Sequence, residues 1–190
     1  YSYGGGGGGG CSEDLTLPVQ IIRATIMPQD SSNYETPSIV FGQRLEVNDQ
    51  WLVTVNERKG TTKPISDYII IYKREGCKYI LYQSFEININ NWLEGDFGLI
   101  LNGNEIIISS SSIDLTYILR LNESNNSWGI AQQINNDSTS EVGSSTYILG
   151  RFLFILEYNK NANNIFRVYY KNDTGNYVFH QTISVSGVNL

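Results

Sequence analysis

From Leu15 onward, short apolar runs alternate with clusters of Asn, Gly, Ser and Asp. The runs Tyr68–Tyr72, Glu105–Ser109, Phe152–Leu156 and Phe166–Tyr170 are rich in Ile, Val, Phe and Tyr, side chains that suit a pleated, half-buried surface. No stretch of twelve residues keeps a 3.6-residue apolar period between turn signals, so the pattern predicts strands throughout and no helix. Pro18, Pro28, Pro37 and Pro64 all lie outside these runs, and none argues against a strand there.

The strand pattern repeats. An aromatic residue stands four positions before a Gln, with an apolar residue two further on. The copies are Tyr79, Gln83, Phe85; Trp128, Gln132, Ile134; and Tyr177, Gln181, Ile183. A second anchor precedes each copy: Phe41-Gly42, Phe97-Gly98 and Val142-Gly143. Trp51, Ile107 and Phe152 follow these anchors at equal distance, and the spacing aligns them with one another. Each unit therefore reads as four strands, with polar hairpins at Lys73 to Lys78, Asn122 to Ser127 and Lys171 to Asn176. A four-stranded unit recurring at this interval is the mark of a β-propeller blade.

Phenylalanine–glycine, short strand, polar turn, apolar strand, then a hairpin ending in aromatic-x-x-x-Gln resembles the FG-GAP and hyalin-like propeller repeat, similar to the blades of the integrin α-chain head. The resemblance covers roughly residues 17–187. It departs at Val142, where the family has Phe, and at Gly150-Arg151, where a Gly-Asp-type turn is usual. It implies an all-β domain over 15–190, with blades at about 39–90, 95–135 and 141–187. Val19 to Met27, with Gln20 and Ile22, resembles the last strand of a preceding blade. Three blades and one extra N-terminal strand do not close a ring, since closed propellers have about four to eight blades. The expectation is a part of a longer propeller, a ring or stack completed by other chains, or an open array.

Residues 1–14 read as a flexible or partner-held tail containing seven consecutive glycines, Gly4 to Gly10. The chain begins at Tyr1, which suggests processing or a start inside a longer product. The apolar share of 41% and charged share of 17% fit a globular domain. A net charge of −6 supplies no basic field for a phosphate backbone, so nucleic acid is not an expected partner. No apolar run reaches the ~18 residues of a membrane span.

Candidate chemistry is sparse. His180 is the only histidine, and the sequence offers no serine or cysteine motif beside it from which to build a triad. FG-GAP relatives often hold calcium on Asp-x-Asp-x-Asp-Gly-like loops, but Asn135–Ser138 and Asn172–Gly175 carry one acid each. No metal, cofactor or catalytic residue is expected. A glycosidase would need two carboxylates about 5–10 Å apart, and the repeat positions offer no such pair. Trp51 and Trp128 fall on repeat positions and read as packing residues. Trp92 has no counterpart and is the candidate contact for a partner or a glycan.

Asn122, Asn125, Asn136 and Asn172 stand in N-glycosylation sequons, a number that composition alone would supply. Cys11 and Cys77 are the only cysteines. An intrachain bridge between them would be worth about 4 kcal/mol by loop closure, with free thiols and interchain pairing as alternatives. The expected function is a non-enzymatic structural or adhesion module of an extracellular or particle-surface assembly. It would join copies of itself, or another chain of the same assembly, through strand edges and the N-terminal tail. The alternative is a carbohydrate-binding propeller.

Overall fold

The computed structural model describes residues 38–59, 67–87, 97–111, 114–135, 141–158 and 164–185. These form twelve strands and, among the described residues, no helix. The first sheet holds β1 (Ser38–Val47), β2 (Trp51–Lys59), β3 (Asp67–Glu75) and β4 (Lys78–Ile87). The second holds β5 (Phe97–Asn102), β6 (Glu105–Ser110), β7 (Leu115–Asn122) and β8 (Ser127–Asn135). The third holds β9 (Glu141–Leu149), β10 (Phe152–Tyr158), β11 (Asn164–Lys171) and β12 (Tyr177–Val185). Each sheet is an antiparallel meander in chain order. The four apolar runs of the sequence pattern lie in β3, β6, β10 and β11.

An antiparallel meander whose strands are apolar on both faces must bury both faces. The sheets do so by stacking. Trp51, Val53, Ile69 and Ile71 of the first sheet pack against Phe97, Leu99, Ile106, Ile108, Leu119 and Trp128 of the second. On the other face of the second sheet, Ile107, Ile118 and Ile134 meet Leu153, Ile155, Tyr169 and Tyr177 of the third. The consecutive isoleucines 106, 107 and 108 point alternately into these two layers, as a period of two requires, and all three are fully buried. First strands are also neighbours across sheets: β1 contacts β5, and β5 contacts β9. The result is three blade-like sheets in sequence order, which do not close into a barrel.

Pairing register corrects one alignment made from spacing. Phe41, Phe97 and Val142 do share a position, opposite Asn56, Ser110 and Glu157. The residue equivalent to Trp51 and Phe152, however, is Glu105, because these three pair with Lys73, Tyr170 and Arg120 at the same point of their sheets. Ile107 instead aligns with Val53 and Phe154. The cause is local. Bulges in β1, between Phe41 and Arg44, and in β9, opposite Ile155 to Glu157, lengthen those strands relative to their partners, whereas β5 pairs without interruption. No bulge signal is visible in composition alone.

The N-terminal tail 1–14, the predicted extra strand Val19 to Met27, Trp92 and Asn136 lie outside the described residues. Among the described residues, no helix is long and apolar enough to cross a membrane.

Candidate functional site

The repeated glutamine is a clamp between sheets. Gln83 Nε2 donates to the carbonyl of Trp128 at 3.0 Å, and the Trp128 N–H donates to Gln83 Oε1 at 2.8 Å. One sheet further on, Gln132 Nε2 donates to the carbonyl of Tyr177 at 2.6 Å, and the Tyr177 N–H donates to Gln132 Oε1 at 2.8 Å. Both pairs span 45 residues. A primary amide carries one acceptor and one donor side by side, so it can satisfy the N–H and C=O of one strand residue at once. The aromatic residue is thus held by its backbone through the preceding sheet, while its ring packs into the layer between sheets.

A bulge aims each glutamine. In β4, β8 and β12 the register skips one residue: Tyr82, Ala131 and His180. Each stands directly before Gln83, Gln132 or Gln181. An extra residue in an edge strand bends it and redirects the side chain that follows. The sequence repeat therefore records a mechanical unit of bulge and clamp; the glutamine is a docking residue, where spacing alone marked it only as a landmark.

Beside the clamps, the two sheet contacts differ in chemistry. Trp51 meets Trp128 edge-on at 5.3 Å and donates from Nε1 to Asn104 Oδ1 at 3.1 Å. At the equivalent point of the second contact stands Glu105, only 4% exposed. Its carboxylate accepts from Arg120 Nε at 2.8 Å, from Lys171 Nζ at 3.0 and 3.1 Å, and from the Tyr177 hydroxyl at 2.9 Å. Arg120 reaches on to the carbonyl of Gly175. A carboxylate this buried needs such partners, because taking it out of water unpaired costs several kcal/mol or more. Burial, then the Glu105 charge, pushes the Tyr177 hydroxyl well above the usual phenol range.

Glycine sets the approach of the first strands. A Cβ on Gly98 would collide with the Thr146 hydroxyl of the third sheet and with Ser109 Oγ. Gly143 has φ +112°, and a Cβ there would lie 3.1 Å from the Ser110 backbone. Ser109 Oγ donates to the carbonyl of Gly143 at 2.9 Å. The Phe-Gly anchor is thus a close-approach device.

The clamp series is incomplete at its end. Gln181 occupies the position of Gln83 and Gln132 but is exposed. Around it lie Phe152 and His180, their rings 5.8 Å apart, with exposed Tyr147, Leu149, Val178 and Ile183. At two of these positions the inner contacts bury the counterpart: Ile134 is buried where Ile183 is open, and Trp51 and Glu105 are buried where Phe152 is half-exposed.

Other candidates disperse. Asn122, Asn125 and Asn172 sit at hairpin turns, and each Oδ1 accepts from the N–H and hydroxyl of the sequon Ser or Thr two residues on. Cys77 lies at the exposed tip of the β3–β4 hairpin as a disulfide cysteine, and Cys11 is outside the described residues. Among the described residues, no three His, Cys, Asp or Glu side chains gather in a metal-like group. A shallow cleft of about 440 Å³ at the hairpin end of the first two sheets is lined by Asp49, Gln50, Trp51, Lys73, Arg74 and Asn104. No protein-family model matches the chain, and no curated protein matches it.

Proposed function

We propose that this chain is a non-enzymatic structural or adhesion module of an extracellular or particle-surface assembly, built of β-propeller blades of FG-GAP-like type. One observation carries the reading: a stacking rule applied twice within the chain, Gln83 on Trp128 and Gln132 on Tyr177, is left open at Gln181. A sheet face with clamp residue and apolar margin both uncovered is a surface for association. Hairpin tips displayed on this stacked scaffold are the contact elements for other partners, and the sequence pattern adds Trp92 as a candidate contact. Sedimentation or light scattering of the chain at physiological ionic strength tests the reading. A mass above that of one chain is expected, and a monodisperse monomer overturns it.

The cleft beside Trp51 favours a second reading, a carbohydrate-binding propeller, because donors and acceptors from Asp49, Gln50, Lys73 and Asn104 surround it. A glycan array on the wild-type chain and on Asp49→Ala and Trp92→Ala variants separates the two. Binding lost with either substitution favours the lectin, and silence across the array favours assembly.

A further inference from the structure

The outward face of the first sheet is buried at its centre. Leu52, Ile70 and Tyr72 form an apolar cluster there, joined among the described residues only by Tyr79 of the same sheet. The Tyr72 hydroxyl is buried with no hydrogen-bond partner among the described residues, so water is kept off it. By pairing register, Leu52, Tyr72 and Tyr79 correspond to Ile106, Leu119 and Trp128, which face the preceding sheet. The first sheet is thus covered where a preceding blade would stand. The cover is narrow: Leu45 is 46% exposed, whereas its equivalent Leu99 under a complete sheet is 4% exposed. A single strand over β2 and β3 leaves that margin open; a full sheet would not.

The covalent structure points to the occupant. Cys77, at the tip of the β3–β4 hairpin, is disulfide-bonded, and Cys11 is the only other cysteine of the chain. β1 begins at Ser38, opposite Lys59, at the other end of the sheet. A Cys11–Cys77 bond therefore makes residues 12–37 run the length of the first sheet. That length is about 33 Å for the ten residues of β4, and 26 residues reach roughly 85 Å when extended. The inner face is taken by the second sheet, which leaves the outward face as the path. The path runs from hairpin end to anchor end, as β4 does before β5 and β8 before β9.

Other connections do not serve. Residues 60–66 leave from the far end, and seven residues folded back reach about 12 Å, whereas Tyr72 lies five residues, about 17 Å, from Asp67. Residues 88–96 lead to Phe97, on the inner side. Residues 12–37 also carry the right pattern. Leu15, Leu17, Val19 and Ile21 alternate, and the alternation slips at Ile22, two residues from Gln20. Bulges break the register beside Gln83 and Gln132 in the same way.

We infer that residues 15–27 dock as a strand on the outward face of the first sheet, over Leu52, Ile70 and Tyr72, pinned at the hairpin end by a Cys11–Cys77 bond. The chain seals this face itself, and the third sheet keeps the face that is open to other molecules. The inference goes beyond the assembly reading and does not depend on it.

Two measurements on the full chain test it. Peptide mapping without reductant is expected to find Cys11 linked to Cys77 within a species of one chain mass on a non-reducing gel. Hydrogen exchange reads the face. Val19→Asp with Ile21→Asp is expected to speed exchange in β2 and β3 about tenfold while β10 and β11 keep wild-type rates. Ser31→Asp with Ser32→Asp, the same charge outside the alternation, is expected to change neither. If the first pair unfolds the whole chain, Ile21→Ala removes contact without burying a charge and is read the same way. A bond between two chains overturns the inference. So do unchanged rates in β2 and β3, equal acceleration of all three sheets, or an equal effect of the serine pair. Light scattering reads the assembly separately.

Discussion

Three side chains show how burial and hydrogen bonding set local energetics. Gln132 satisfies the N–H and C=O of Tyr177 at once. Gln132→Ala is expected to cost about 1–3 kcal/mol, the penalty of stranding part-buried backbone groups, while Gln133→Ala on the same strand stays within about 0.5 kcal/mol. Urea denaturation of both checks the contrast. Glu105→Gln removes the charge that Arg120 and Lys171 face, and about 3 kcal/mol of destabilisation is expected. Combining it with Lys171→Met should give less than the sum of the single changes, because the two groups belong to one network. Tyr72 is buried, and its hydroxyl finds no hydrogen-bond partner among the described residues. Tyr72→Phe is accordingly expected to raise stability by about 1 kcal/mol at neutral pH. Burial also pushes the Tyr72 hydroxyl up to about 12, from an ordinary value of 10.0. Below pH 10 both states keep the proton. Between about 10 and 12 only the unfolded chain loses it, so stability is full below the unfolded value and falls as pH rises through the folded one. Tyr72→Phe should make that alkaline fall shallower by about 1.4 kcal/mol per pH unit, read from denaturation midpoints between pH 9 and 12.

At the scale of elements, the β-bulge is the working device. Last strands β4, β8 and β12 bulge before the clamp glutamine, and first strands β1 and β9 bulge at or beside the Phe-Gly type anchor. Bulged strands bend away from the sheet plane, which lets a flat meander present a side chain to the next sheet. Gly143, at φ +112° against the Ser110 backbone, is the tightest of these points. Gly143→Ala combines a strained backbone with a steric clash, and a loss of about 2 kcal/mol or more is expected. Gly98→Ala drives a methyl into Thr146 Oγ1 and Ser109 Oγ; pairing it with Thr146→Ser leaves both clashing hydroxyls in place and should not rescue, whereas pairing it with Thr146→Gly removes one of them and should rescue in part. Thermal melts of these double variants decide whether contact distance or backbone conformation governs the site.

Across the whole molecule, stability passes from sheet to sheet, since the two largest buried clusters lie between sheets. Hydrogen exchange should show the consequence. Glu105→Gln is expected to speed exchange in β9 to β12 first and to leave β2 and β3 protected longer, while uniform acceleration would mean that the three sheets open as one unit. The all-β class and the three-fold repeat were legible in the sequence because apolar alternation and turn residues are local signals, and because Phe41, Phe97 and Val142, like the three glutamines, recur at fixed places. The alignment of Ile107 with Trp51 failed because bulges add residues without changing composition. Nor did the sequence disclose what the glutamines hold, or that Glu105 rather than an apolar residue fills its place at the second contact. Those are facts about pairs 45 to 72 residues apart, and only stacking brings them within hydrogen-bonding distance. By itself the sequence determined strands, turns and repeat, each set by neighbours along the chain. Tertiary structure alone decided which faces meet and which face stays open, because burial and hydrogen-bond satisfaction are settled between sheets.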